Sequence, residues 1–294
     1  MQKFIYILLF IFSAFSLKAQ ITYSEQAEQY AEQGNFEKAI ELETENLKLI
    51  EKTKGKNTED YVSSLSWLTY YNADSGNYQE AVRLGTEALK IQEEVFGKNN
   101  PDYATSLGNL ANYYAYLGNL QEAVRLATEA LNILEELGYK NHPIYAGYLH
   151  NLTDYNAYLG NYQEAIRLET EALNIIEETL GKNNPDYATS LNYLADYNSS
   201  LGNYEEAIMF ETEALKIIEE ILGKNHPDYA TSLSNLADYN FYLGNYQEAV
   251  RLGTEALKII EEVLGKNHPD YVTSLSHLAG YKAKLENYEE AIRH

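Results

Sequence analysis

Apolar residues recur along this chain at helical spacing almost throughout. Between Asn99 and Lys140, Leu107, Leu110, Ala111, Tyr114 and Leu117 fall mostly three or four apart, the pattern of one face of an α-helix. Ala123, Leu126, Ala127, Ala130, Leu131 and Leu134 form a second stripe. Opposite it, Glu122, Arg125 and Glu129 alternate in sign at spacings of three and four, which suits a solvated face. The punctuation predicts two helices. Pro101 suits a first helical turn, where its missing N–H costs nothing, and Asp102 suits the positive end of the helix dipole. Gly118 is placed to end the first helix in the left-handed conformation. Asn119 is placed to cap the second, with Glu122 completing a capping box. No stretch alternates with the period of two that marks a strand.

This two-helix pattern repeats. Gly-Asn occurs at Gly34, Gly76, Gly118, Gly160, Gly202 and Gly244, each 42 residues after the last; at the seventh place the pair reads Glu286-Asn287. Every proline keeps the same step (Pro101, Pro143, Pro185, Pro227, Pro269), as do Tyr61, Tyr103, Tyr145, Tyr187, Tyr229 and Tyr271. A Gly-Lys-Asn-(Asn/His)-Pro loop resets the pattern at Gly97, Gly181, Gly223 and Gly265; in one unit Tyr139 takes that place and the glycine moves to Gly138. One hairpin cannot bury its stripes alone, but stacked neighbours can, so the spacing predicts an all-α solenoid. Residues 20–294 are expected to hold six helix pairs and an incomplete seventh, whose second helix would start at Asn287. Arrays normally finish on a polar capping helix; this one would not, so the expectation is a fragment or a chain that continues.

Residues 1–19 have a different character. Met1-Gln2-Lys3 is a short positive start, Phe4 to Phe15 is apolar but for Ser13, and Ala19 follows shortly after. The run is too short to span a bilayer and has the layout of a cleaved signal peptide. It resembles export signals of Bacteroidota, which often end in Ala-Gln, so a periplasmic or secreted protein is expected. No second apolar run of spanning length follows, so no membrane insertion is expected after cleavage.

The phrase from His226 to Ala237, His-Pro-Asp-Tyr-Ala-Thr-Ser-Leu-Ser-Asn-Leu-Ala, resembles the tetratricopeptide repeat family in its 42-residue kinesin-light-chain-like form. The resemblance covers residues 21–294 and implies an α-α superhelix, a right-handed solenoid of antiparallel helix pairs. The family's small residues map to Ala111, Ala123 and Ala130, and to Ala237, Ala249 and Ala256. One departure stands out. The family's tyrosine at position 11 survives as Tyr30 and Tyr114, but Asn72, Asn156, Asn198, Asn240 and Lys282 replace it elsewhere. Tyrosine sits one place earlier instead, at Tyr71, Tyr113, Tyr155, Tyr197, Tyr239 and Tyr281, where we expect it to pack between units.

The resemblance also implies that the first helix of each unit lines a concave groove. Position 9 gives Tyr70, Asn112, Asp154, Asp196, Asp238 and Gly280; position 13 includes Tyr116, Tyr158 and Tyr242. From Ser63 on, no Lys or Arg stands at positions 2, 5 or 6, where carboxylate-gripping members carry them. The candidate partner-binding residues are therefore Tyr70, Asn112, Asp154, Asp196, Asp238, Tyr116, Tyr158 and Tyr242. They would form an acidic, tyrosine-lined groove for a protein or an extended polar or basic peptide. The reading is a non-enzymatic interaction scaffold. The alternative is the recruitment or sensor region of a larger signalling or caspase-like peptidase protein.

Composition narrows the field. Twenty-two Lys and Arg face 44 Asp and Glu, a net charge of −22, which disfavours nucleic acid, whose binding rests on basic residues displacing counterions. With no cysteine, disulfides, thiolate metal sites and a cysteine nucleophile are excluded. His142, His226 and His268 share one loop place with Asn100 and Asn184 and are expected to be turn residues. His150 and Asp154 lie four apart, half a metal site at most. No cofactor, metal or catalytic residue is expected, and the sequence leaves the oligomeric state open.

Overall fold

The structure, a computed structural model, describes residues 22–293, and all regular structure among them is helical. The segment expected to be a signal peptide, 1–19, lies outside the described residues. Helix α1 covers residues 22–32. It is followed by α2 (Phe36–Thr53), α3 (Glu59–Asp74), α4 (Tyr78–Phe96), α5 (Pro101–Tyr116) and α6 (Leu120–Glu136). Then come α7 (Pro143–Tyr158), α8 (Tyr162–Leu180), α9 (Pro185–Ser200), α10 (Tyr204–Leu222), α11 (Pro227–Leu243), α12 (Tyr246–Val263) and α13 (Pro269–Arg293). The odd-numbered helices are the A helices of the pairs and the even-numbered the B helices. The chain forms two compact units, residues 1–140 and 141–294, whose boundary falls just after the displaced glycine, Gly138. Within each unit every helix from α2 on packs on the next in sequence. The architecture is all-α, of the α-α superhelix type.

Local chemistry sets the ends of the helices. Gly118 adopts φ 79°, its N–H donates to Ala115 O at 2.9 Å, and Asn119 N donates to Tyr114 O at 2.9 Å. This closes α5 as a left-handed glycine should. No residue other than glycine has positive φ among those described. The A helices are capped by an acceptor just ahead of proline or its equivalent. Asn100 and Asn184 accept backbone N–H bonds at 2.8 Å, and His142, His226 and His268 do the same through Nδ1 at 3.2, 3.2 and 3.3 Å. The histidines stand in for asparagine.

Three sequence expectations are corrected. The capping box of α6 forms only half. Asn119 Oδ1 accepts from Glu122 N at 3.4 Å, but the Glu122 carboxylate turns to Arg125 at 2.7 Å, because Tyr114 O already satisfies the Asn119 N–H. Leu117 is 37% exposed, since it lies in the turn rather than on the stripe. No new helix starts at Asn287. The last helix runs unbroken from Pro269 to Arg293, because Glu286 stands where the sister turns have glycine and cannot cheaply take the left-handed backbone.

The core follows the predicted stripes. The six small residues Ala111, Ala123, Ala130, Ala237, Ala249 and Ala256 are all fully buried, which lets the helices approach closely. The displaced asparagines have a structural task. Asn72, Asn156, Asn198 and Asn240 are buried. Each donates Nδ2 to the carbonyl four residues back, at 2.8–2.9 Å. Each Oδ1 accepts from the asparagine that opens the next helix, at 3.2–3.4 Å. The pair clips each A-to-B turn from inside.

Candidate functional site

The A helices of residues 141–294 carry the acid row. Each acid accepts a hydrogen bond from a tyrosine 43 residues on, one repeat plus one place. Tyr197 Oη donates to Asp154 Oδ1 at 3.1 Å, Tyr239 to Asp196 at 2.5 Å and Tyr281 to Asp238 at 2.5 Å. These are the tyrosines expected to pack between units, and they are 4–6% exposed. Their ring bodies are buried in the inter-helix core while their hydroxyls reach the acid row on the preceding A helix. Burial, and then the neighbouring carboxylates, push all three phenols well above their usual range. Desolvation raises Asp154 and Asp196; the tyrosine hydroxyls act the other way, joined at Asp154 by His150. The acids are thus bound into an inter-repeat ladder rather than standing free.

Asp196, Asp238 and Tyr242 line one cavity of about 450 Å³, with Phe241, His277 and Tyr281. His277 Nδ1 lies 3.5 Å from Asp238 Oδ2. Tyr242 is 62% exposed and stacks on Tyr204 with ring centres 5.4 Å apart. Tyr158, 77% exposed, lies at the end of α7. Asp154 is half-buried in a second cluster. His150 Nδ1 is 3.2 Å from Glu169 Oε2, and the ring of Tyr193 meets His150 edge-on at 4.4 Å. Burial disfavours the charged imidazole, but Glu169, Asp154 and Asp186 outweigh it and the net shift of His150 is upward. His150 therefore pairs with a buried glutamate of its own hairpin rather than with Asp154. No group of three or more metal-ligating side chains converges among the described residues.

In residues 1–140, Tyr70 is 45% exposed and meets Trp67 edge-on at 6.0 Å; hydrogen bonding to Asp74 raises its phenol. Asn112 is half-buried on α5. Tyr116, 69% exposed, stacks on Tyr78 at 4.6 Å. Of the eight sequence candidates, Asp196, Asp238 and Tyr242 share a cavity. Tyr70, Asn112 and Tyr116 belong to the first compact unit.

Sequence reasoning missed Glu169, Tyr193, His277 and Phe241 as neighbours of the acid row. It also missed Glu43, Glu169 and Glu211, which are all fully buried. Each stands nine residues after a turn glycine, where the other units carry Gly85, Ala127 and Gly253. A carboxylate in a register of small residues was the available signal. Among the described residues no helix is long and apolar enough to cross a membrane.

The sequence model of the Tetratricopeptide repeat family matches residues 65–136, 145–220, 201–262 and 241–294. Among solved structures, the chain is similar to a kinesin-light-chain-type protein of nearly identical TPR-like repeats from Podosopora anserina. They share 26% identity at a TM-score of 0.62, covering 68% of this chain and 94% of that one. BtubC from P. vanneervenii aligns at 23% identity and TM-score 0.66, over 80% of this chain and 94% of that one. A signal-transduction ATPase from Pyrococcus horikoshii with a tetratricopeptide repeat sensor aligns at 22% identity and TM-score 0.69, over 85% of this chain and 38% of that one. No curated protein sequence matches. The 42-residue step, the alanine contacts and the stacked A/B hairpins agree with this family match: the chain belongs to the tetratricopeptide repeat family, in its kinesin-light-chain-like form.

Proposed function

We propose that this chain is an exported scaffold that binds an extended polar or basic peptide along its A helices, through acids and exposed tyrosines. Proteins of the tetratricopeptide repeat family bind proteins or peptides, and the family is typically non-enzymatic; we read this chain as non-enzymatic too. The observation that carries the finer reading is the cavity shared by Asp196, Asp238 and Tyr242. It offers acceptors and a large aromatic face and has no Lys or Arg in its wall. Tyrosine suits such contacts, being large with few rotors. The tyrosine hydroxyls fix the acids before a ligand arrives, so little side-chain entropy is lost on binding. Export is supported by the apolar run behind Lys3.

A displayed library of random peptides tests the reading. Residues 20–294 should enrich sequences carrying Lys or Arg at low salt. The triple variant D154N, D196N and D238N keeps an acceptor for each tyrosine and should lose that enrichment. Equal enrichment by both proteins, or enrichment of acidic peptides, rejects it.

A further inference from the structure

In an array this regular, the units that break register carry information. The second unit breaks it twice on one wall. Position 6 holds Trp67, the only tryptophan in the chain, where the sister units have Asn109, Asn151, Tyr193, Asn235 and His277. On α4, Gln92 takes the place held by Ile50, Leu134, Ile176, Ile218 and Ile260. Those five are core residues. Gln92 is buried as they are, at 6% exposure, yet its Oε1 has no hydrogen-bond partner. A buried amide oxygen left unpaired costs about 1–3 kcal/mol, so the substitution is unfavourable for the fold alone.

Both residues border one cavity of about 580 Å³ within residues 1–140, together with Phe96, Asn109 and the carboxylates of Glu59 and Asp102. Trp67 is 42% exposed and Phe96 48% exposed. Tyr71 stacks on Trp67 at 5.7 Å and braces it from the core side. No lysine or arginine lines the cavity.

We propose that this cavity is a binding site for an arginine side chain of a peptide partner, with the guanidinium on Trp67 and one of its N–H groups on the orphan Gln92 oxygen. The chemistry selects arginine. Its planar cation stacks on an aromatic face, and it carries five donors and no acceptor. The wall supplies an unpaired acceptor and two carboxylates. Lysine, a compact and strongly hydrated charge, matches an aromatic plane less well. This deepens the proposed function by naming what a cavity lined by the A helices α3 and α5 and by the end of α4 reads, and it rests on that reading.

Trp67 makes the test direct, because all tryptophan fluorescence of the chain comes from the proposed site. The probe is a blocked pentapeptide with a central arginine flanked by glycine and serine, titrated into residues 20–294, alongside versions with lysine or citrulline. The arginine peptide should change Trp67 emission saturably and bind about threefold or more tighter than the lysine peptide. Citrulline, planar but uncharged, should bind weakly. Q92I restores the residue type of the sister units, so its melting temperature should equal or exceed that of the parent. Its affinity for the arginine peptide should fall about tenfold. The triple variant D154N, D196N and D238N should leave this titration unchanged, so the two readings fail separately. No saturable emission change, equal binding of citrulline, or unaltered affinity in Q92I overturns the proposal.

Discussion

At the scale of single residues, the buried glutamates are the least expected feature. Glu211 is fully buried and one carboxylate oxygen has no partner. Asn235 Nδ2 donates to the other at 3.4 Å. Burial raises its carboxyl from 4.5 to about 8, although Ser232 and Asn235 pull the other way. The consequence for stability has a definite sign. Below about pH 4.5 the group is protonated in both the folded and unfolded chain and costs nothing. Between about 4.5 and 8 the unfolded chain releases the proton that the folded chain keeps, so stability falls as pH rises. E211Q removes this titration and keeps the shape and the acceptor. The difference in melting temperature between E211Q and the parent should grow from pH 5 to pH 8 in favour of the variant. Thermal unfolding followed by circular dichroism measures it; a difference independent of pH would show that Glu211 is ionised in the fold. The burial of Glu43, Glu169 and Glu211 was not legible in the sequence. The pattern of small residues marked the register as tight, but only the neighbouring helix decides whether a long side chain folds into it. At Gly253 a Cβ would come within 3.0 Å of Tyr281, whereas at Glu43 the neighbouring helix offers the Ser64 hydroxyl, which donates to its carboxylate.

At the scale of the helix, punctuation was legible and its finer wiring was not. Pro, Gly and Asn act within a few residues of themselves, so their positions set helix ends without reference to tertiary contacts. Glu286 shows the same logic by exception: without glycine the turn is lost and the helix continues. The asparagine clip was invisible, because Asn at family position 11 reads as a lost aromatic until its partner across the turn is seen. Asn198 Nδ2 donates to Leu194 O at 2.8 Å while Asn203 Nδ2 donates to Asn198 Oδ1 at 3.2 Å. N198A therefore removes both hydrogen bonds that the buried Asn198 side chain makes at this turn. The expected loss is about 1–3 kcal/mol, read as a lower urea midpoint. A midpoint within error of the parent would show that the clip contributes nothing.

For the whole molecule, charge is the dominant field. Acids exceed bases by 44 to 22, and most basic residues are already engaged locally. Arg83, Arg125, Arg167 and Arg251 each bridge two glutamates of their own helix, three residues before and four after. These pairs are exposed and worth a few tenths of a kcal/mol each. The uncompensated acids repel one another over distances that salt screens, since the Debye length falls from about 30 Å at 0.01 M to about 10 Å at 0.1 M. Repulsion is the larger effect, so the melting temperature should rise between 10 mM and 500 mM sodium chloride. A fall would mean that the arginine bridges outweigh it.

The sequence by itself determined the repeat, the helices and most of the core. These depend on periodicity and on residues that act on their own backbone, and the 42-residue step multiplies each signal. It also placed the acids and tyrosines in their registers. Only the tertiary structure decided what those residues do. The 43-residue separation that joins Tyr197 to Asp154, Tyr239 to Asp196 and Tyr281 to Asp238 exists only when one hairpin stacks on the next. That stacking turns a row of apparently free carboxylates into a braced ladder. It also encloses Glu211 and leaves the Gln92 oxygen without a partner. Each outcome depends on which atom of a neighbouring helix comes within about 3 Å, a distance that no spacing along one chain can state.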